Sequence, residues 1–314
     1  MAAHTYVGVQ TQALLRRDAG AIPFKGTAMK TLETILRNEA GHWVGDGFPV
    51  RSLFNYQGDT KLISPFLLFD FAGPRTFEPR EGRPRGVGQH PHRGFETVTI
   101  VYDGEVSHRD STGGGGTIGA GEVQWMTAGA GIVHDEFHSP AFSRTGGPFQ
   151  MVQLWVNLPR KDKMTAPGYQ AITRDTIPDV ALDGGRARII AGTFGIKNGP
   201  ARTFSPVNLW DVRLCAGAHQ TLPLPEGHTS MIAVLSGNVT IQGKRIAEAE
   251  IARFSQAHEG VAVTADTDAV LLVMTGEPIA EPVVGHGPFV MNSEAEIRQA
   301  FADFHSGRFD AMSA

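Results

Sequence analysis

The stretch Gln89-His-Pro-His-Arg-Gly-Phe-Glu96 governs how the rest of the chain is read. On an extended strand, side chains at i and i+2 share a face, so His90 and His92 aim two imidazoles at one point. A second stretch, His134-Asp-Glu136, sets an imidazole and a carboxylate side by side by the same period. Three His and one Glu from two short segments make a mixed nitrogen and oxygen donor set. Such a set suits redox-active Fe(II), and also Mn, Ni, Cu or Zn, so the donors alone leave the metal open.

The surroundings of both stretches are strand-like. Glu96-Thr-Val-Thr-Ile-Val-Tyr102 is rich in β-branched and aromatic residues, and Asp103-Gly104 then separates it from Glu105-Val-Ser-His-Arg-Asp110, which predicts a hairpin. Gly113 to Gly116 have no Gly-Lys-Ser/Thr behind them and predict a flexible hairpin tip, not a phosphate loop. Thr117 to Met126 predicts a further strand pair around a Gly119-Ala-Gly121 turn. Gly129-Ala-Gly131 is small enough to bring backbone close to whatever His134 and Glu136 bind. From Phe149 to Leu158 the chain alternates, with Val152, Leu154 and Val156 on one face and Met151, Gln153 and Trp155 on the other. Upstream, Val50 to Phe71 reads as successive strands. Met29, Leu32, Ile35 and Leu36 fall at helical spacing and predict a short amphipathic helix from Thr27 to Asn38, with a strand or packing arm as the alternative.

Composition narrows the function. A chain of 314 residues has room for roughly two domains at about 150 residues each. The net charge of −4 lacks the basic footprint of a nucleic-acid surface, so no direct nucleic-acid partner is expected. Cys215 is the single cysteine, which excludes an internal disulfide and fits a reducing compartment. There is no basic segment followed by an apolar run near Met1, and no apolar stretch of about 18 residues. A cytoplasmic protein with no membrane partner is the expectation. With 38 Gly and 19 Pro spread along the chain, many short elements joined by tight turns are expected, which favours an all-β architecture.

The chain repeats itself. Ile232-Ala-Val-Leu-Ser-Gly237 resembles Ile100-Val-Tyr-Asp-Gly104, and Ile246 to Phe254 resembles Ile118 to Met126. Carrying these offsets across places Pro223 and Pro225 opposite His90 and His92, and Ala262 and Thr264 opposite His134 and Glu136. A duplicated scaffold with one ligand set follows. The expected organisation is an N-terminal extension with first strands over 1–60, a metal-binding barrel over 61–165, a linker over 166–180 and a second barrel without metal over 181–314. Asn292-Ser293-Glu-Ala-Glu296, followed by Ile297, Ala300, Phe301 and Phe304, predicts a capped terminal helix stopped by Gly307.

Four motifs carry a family resemblance: His90-Pro-His92-Arg-Gly-Phe-Glu96, Gly121-Glu-Val-Gln-Trp-Met-Thr-Ala-Gly129-Ala-Gly131-Ile-Val-His134-Asp-Glu136, Gln153-Leu-Trp-Val-Asn-Leu-Pro159 and Gly287-Pro-Phe-Val-Met-Asn292. Together they resemble the pirin branch of the cupin superfamily from about Pro65 to Phe304. The resemblance implies a bicupin, two antiparallel jelly-roll barrels facing each other with a short C-terminal helix. It also implies one divalent metal in the first barrel, Fe(II) foremost, held by His90, His92, His134 and Glu136. One departure is Gly129, where the general cupin motif has proline. Glu96 is the rival carboxylate, because ordinary cupins take their acid from after the His-x-His; the pirin pattern prefers Glu136 and leaves Glu96 to orient an imidazole.

Members of this family are described as quercetin 2,3-dioxygenase-like, and one branch as a nuclear transcriptional co-regulator with iron. The resemblance thus implies an oxidoreductase cleaving a flavonol-like enol with O2, in which Glu136 is both ligand and catalytic base. The alternative is a metal-dependent redox-sensing protein acting through a protein partner. A third reading, isomerase or hydrolase chemistry on a small hydroxylated compound, is set apart by needing no oxygen. His108 and His138 are expected at a pocket edge or in solvent, and Asp135 as a solvated or turn-forming carboxylate.

Overall fold

Strand Phe95–Asp103 shows how the molecule is built, because eight of its nine residues are buried although both its faces are used. Val98 and Ile100 point into one apolar cluster and Val101 into another. A strand with two buried faces needs cover on each side, and the chain supplies it by pairing two sheets into a barrel and stacking that barrel on a second one. A computed structural model describes residues 28–309.

Two copies of one plan account for almost all strands. In the first, a seven-stranded sheet runs in the order Gly168–Ile172, Val123–Thr127, Phe95–Asp103, Gly147–Asn157, Phe66–Phe77, Phe48–Asn55, His42–Val44. A four-stranded sheet, Gly86–His92, Ile132–His138, Glu105–Asp110, Gly115–Gly119, closes over it. The second copy repeats this with Leu32–Arg37, Glu250–Phe254, Thr229–Ser236, Ala269–Gly276, Val207–Leu214, Gly185–Ala191 and Asp179–Leu182, closed by His219–Leu222, Val261–Ala265, Asn238–Ile241 and Lys244–Ala247. The large sheets stack face to face. Val98, Trp125, Leu154 and Phe69 from one and Met231, Ile251, Leu272 and Met274 from the other form a single buried cluster. The fold is all-β, two cupin barrels with a short C-terminal helix, Glu294–His305. Ser293 caps that helix by accepting from Glu296 N, and the Glu296 carboxylate returns to Asn292 N at 3.0 Å.

Several local expectations change. The segment expected as a helix forms strand Leu32–Arg37, antiparallel to Glu250–Phe254. A β-bulge between Leu32 and Thr34 resets the alternation, so Leu32 and Ile35, three apart, both pack on the core of the second barrel. The bulge imitates helical spacing. Thr27, where the helix was expected to start, lies outside the described residues. Asp103-Gly104 is a corner and not a hairpin: the strands before and after it pair in different sheets. Gly104 has φ +83°, and a Cβ there would meet Phe149 at 2.7 Å. Gly119-Ala-Gly121 is a second such corner. Within the stretch read as a linker, Gly168–Ile172 pairs with Val123–Thr127 and extends the first large sheet.

Burial in the small sheet of the second barrel alternates strictly. Leu222, Leu224, Val261, Val263 and Ala265 are buried and join the core, whereas Pro223, Pro225, Ala262 and Thr264 are only half-buried. The sequence offsets therefore selected residues one place out of phase. Val261 pairs with Leu222 as His134 pairs with His90. The inward positions are aliphatic.

Candidate metal centre

His90 and His92 lie on the same face of Gly86–His92, and His134 sits on the neighbouring strand Ile132–His138, directly opposite His90. Ring nitrogens of the three come within 4.8 Å of one another. Ring centroids are 4.9 Å apart for His90 and His92, 4.2 Å for His90 and His134, and 4.9 Å for His92 and His134. Glu136 follows two residues later on the inward face; its carboxylate, His134 and His108 form a second group that shares His134 with the first. The four residues singled out in the sequence are thus gathered around His134, and His108 joins them.

Each donor is oriented. His90 Nδ1 donates to the Gly88 carbonyl at 2.8 Å, which leaves its lone pair on Nε2. His92 packs between Phe95 and Trp155, with centroids at 5.2 and 5.3 Å, and its Nδ1 is buried without a hydrogen-bond partner. His134 is fully buried, with Nδ1 facing His108 Nδ1 at 3.2 Å and Nε2 unsatisfied. Burial, reinforced by the neighbouring imidazoles, pushes His92 and His134 well below the ordinary histidine range and keeps both neutral. Thr99 Oγ1 lies 3.3 Å from Glu136 Oε1 and 2.7 Å from Gln153 Oε1, and its single proton serves only one of them.

Neutral buried imidazoles with orphaned nitrogens fit a cation. Two unsatisfied ring nitrogens in a closed barrel are costly on their own, and a metal ion is the partner that the donor chemistry suits.

The remaining candidates separate. Glu96 is buried but points with Val98 toward the seam between the large sheets, where it accepts from Thr127 Oγ1 at 2.8 Å. It hydrogen-bonds no imidazole, contrary to the orienting role expected of it. His138 is neither at a pocket edge nor in solvent: it sits among Phe48, Phe77, Phe142 and Phe149, with Nε2 on the Gly47 carbonyl at 3.0 Å. Asp135 is also buried, facing away from the ligand cluster and paired with Arg109 at 2.9 Å. Gly129 and Gly131 make room for other chain segments and not for a ligand: a Cβ would meet the Thr165 carbonyl at 2.2 Å and the Phe309 ring at 2.4 Å.

Further residues complete the surroundings, and His108, expected at a pocket edge or in solvent, has its side chain completely buried against His134. His108 and Asp110 share a face of Glu105–Asp110, with Nε2 to Oδ2 at 3.1 Å; the period of two that exposed His90 and His92 applies equally here. Burial opposes the charge of Asp110, yet hydrogen bonds from His108 and Thr112 hold its carboxyl down to about 2. Arg93, between the His-x-His and the following strand, is buried against the C-terminal helix. It donates to Ala130 O at 2.6 Å and Asp303 at 2.8 Å, and its guanidinium lies 4.6 Å from the Phe309 ring centre. Lys163 Nζ ties Gly94 O, Asn157 Oδ1 and Val290 O together at 2.7 to 2.8 Å. These contacts span up to 210 residues of sequence, and no local pattern announces them.

Comparison with known proteins agrees with this architecture. The Pirin sequence profile matches residues 47–156, and the Pirin C-terminal cupin domain profile matches residues 209–310. A Pseudomonas aeruginosa protein named "Putative quercetin 2,3-dioxygenase" is 54% identical over 90% of this chain and 99% of its own length. Human pirin is 38% identical over 90% of this chain and 94% of its own. Among solved structures, a quercetin 2,3-dioxygenase from Acinetobacter baumannii superposes with a TM-score of 0.88 at 52% identity, covering 91% of this chain and all of that one. A nickel(II)-bound pirin from Escherichia coli, at 20% identity and a TM-score of 0.62, shares the fold. Duplicated cupin barrels, one donor cluster in the first and matches of this extent place the chain in the pirin family.

Proposed function

We propose that the protein is a metal-dependent dioxygenase of the pirin type, acting with O2 on a flavonol-like enol. The observation that carries this reading is the convergence of His90, His92 and His134 inside one barrel, with buried ring nitrogens left unsatisfied beside the Glu136 carboxylate. His90, His92, His134 and Glu136 would hold one divalent ion, with Fe(II) the leading choice. When bound, the ion supplies Lewis-acid and redox chemistry toward an oxygen-donor substrate and O2.

The chain's own residues do the rest. Glu136 takes the proton of the substrate's enolic hydroxyl, with the Thr99 hydroxyl beside its Oε1. Trp155 and Phe95 form a stacked pair, with centroids 4.2 Å apart, that packs against His92 and holds its ring. The quercetin dioxygenase name borne by the Pseudomonas and Acinetobacter relatives supports flavonols as the substrate class to test. Fe(II)-loaded protein should consume O2 in the presence of quercetin, with Glu136→Gln lowering the rate at least 100-fold. Turnover no faster than that of metal-free protein would sink the proposal.

A second reading, a metal-dependent redox sensor working through a protein partner, draws on Arg93. That residue follows His92 and is paired with Asp303 of the C-terminal helix, so a buried ion pair links the end of the ligand strand to an outer helix. Pull-downs with Fe(II) and Fe(III) forms that capture the same partners equally would remove it.

A further inference from the structure

We propose that His108 and Asp110 are positioning residues that dictate which nitrogen of His134 carries its lone pair. The inference deepens the metal-site reading above and rests on it. Its basis is a continuous chain of contacts: Asp110 Oδ2 to His108 Nε2 at 3.1 Å, then His108 Nδ1 to His134 Nδ1 at 3.2 Å, with His134 Nε2 unsatisfied at the far end.

The proton positions follow link by link. Asp110 Oδ1 accepts from Thr112 N at 2.8 Å, Thr112 Oγ1 at 2.6 Å and Gly114 N at 3.1 Å, so the carboxylate is a fixed acceptor. His108 Nε2 must therefore donate to Oδ2. With the Nε2 proton facing Oδ2, the lone pair of the ring is on Nδ1, and that nitrogen accepts from His134 Nδ1. His134 is left with a proton on Nδ1 and a lone pair on Nε2, the atom that has no partner in the fold. The side chains of His108 and Asp110 are completely buried, and Tyr169 stacks on His108 at 5.2 Å with the rings 10° apart. Bulk solvent does not reach these hydrogen bonds, and the stacked Tyr169 ring packs against one face of the His108 ring. A carboxylate acting through one imidazole on a second is an extended form of the outer support that metal-bound histidines use.

Position-by-position comparison sharpens the case. In the second barrel the inward residues of the corresponding small-sheet strands are Ile241, Val261 and Val263, all aliphatic, so the polar chain is absent where the donor cluster is absent.

Asp110→Asn provides the discriminating test. Its Oδ1 keeps the Thr112 and Gly114 donors, so its amide nitrogen must face His108 Nε2. His108 is then driven to the other tautomer, and His134 is forced to carry its proton on Nε2, where a ligand needs the lone pair. Although isosteric, Asp110→Asn should weaken Fe(II) affinity at least as much as His108→Phe, each by 10- to 100-fold. In the Zn(II)-loaded full chain, nitrogen-15 NMR should report His134 as the Nδ1–H tautomer in the wild type, and in His108→Phe the hydrogen-bonded Nδ1–H signal should be lost. Both variants should bind Fe(III) a further tenfold more weakly than Fe(II), an upward shift of about 59 mV for a one-electron couple.

Variants that bind Fe(II) within twofold of the wild type would overturn the inference while leaving the metal site standing. So would two equivalents of Zn(II) per chain falling to one in His108→Phe, because His108 would then be a ligand itself. Wild-type protein that retains neither Fe(II) nor Zn(II) would overturn the metal site and this inference together. Should His108→Phe unfold, Asp110→Asn carries the same decision.

Discussion

The two barrels share a strand order and differ in what fills them. In the second, the interior is a continuous apolar cluster that includes Leu222, Leu224, Val261, Val263 and Ile241. In the first, an apolar end built from Phe48, Phe77, Phe142 and Phe149 gives way to His90, His92, His108, His134 and Glu136 at the other. Each aliphatic side chain buried in the second barrel contributes about 1.5 to 3 kcal/mol. The first barrel gives up that gain at several positions and leaves ring nitrogens without partners, a cost of about 1 to 3 kcal/mol for each unsatisfied group. Duplication thus separates two tasks: one copy is optimised as a core, and the other carries a polar cluster that only a bound ion would satisfy.

The contrast can be broken at its sharpest point. His134→Ala should abolish metal retention and lower Fe(II) affinity more than 100-fold, whereas Val261→Ala, its counterpart in the second barrel, should leave metal content unchanged; elemental analysis of both purified proteins decides. Equal metal content in the two variants would mean that the barrels do not differ as described.

The seam between the large sheets permits a second test. Burial pushes the Glu96 carboxyl up to about 7 from 4.5, with the Thr127 hydrogen bond pulling the other way. The folded chain therefore holds this proton more tightly than the unfolded chain. Stability from this group is fully present below pH 4.5 and is lost as the pH rises toward 7, by on the order of 3 kcal/mol. Glu96→Gln should match the wild type near pH 4.5 and exceed it at pH 8, as read by urea unfolding at the two pH values. A wild type whose stability is flat across that window would place Glu96 in contact with water.

The smallest effect is expected where the first barrel meets the C-terminal helix. Arg93→Met removes one partner from Asp303, which keeps Arg308 and Gln299, so the loss is that of a hydrogen bond to a charged group, about 2 kcal/mol, visible as a lowered thermal midpoint. Fe(II) affinity should fall with it, because Arg93 adjoins His92. Val261→Ala should leave that affinity unchanged.

What could be read from the sequence follows the range of each interaction. His90 with His92, and His134 with Glu136, are two residues apart, so the period of a strand pairs them before any fold is known. The capping box at Ser293 and Glu296 is equally local. Arg93 with Asp303 and Lys163 with Val290 join distant segments and left no local trace. Two other departures have specific causes. The bulge at Leu32 to Thr34 shifted the alternation into a helix-like spacing, and a one-place phase difference moved the inward residues of the second barrel off the sequence offset. His108 and Asp110 were legible by the same rule that exposed His90 and His92. Their dependence on His134 was not, because it crosses from one strand to the next.

The pairing of Leu32–Arg37 with Glu250–Phe254 has a consequence for synthesis on the ribosome. Every strand of the first barrel's sheets has been synthesised once residue 172 is made, but the earliest strand among the described residues has no strand partner until residue 254 follows. At about 5 to 20 residues per second, that strand waits roughly 10 to 40 s. Throughout that interval Leu32, Ile35 and Leu36 are apolar side chains on an unpaired edge, with Glu33 and Arg37 as the charges beside them. The second barrel thus closes around a strand made long before the rest of it, and nascent chains truncated before residue 250 should be the ones that engage chaperones.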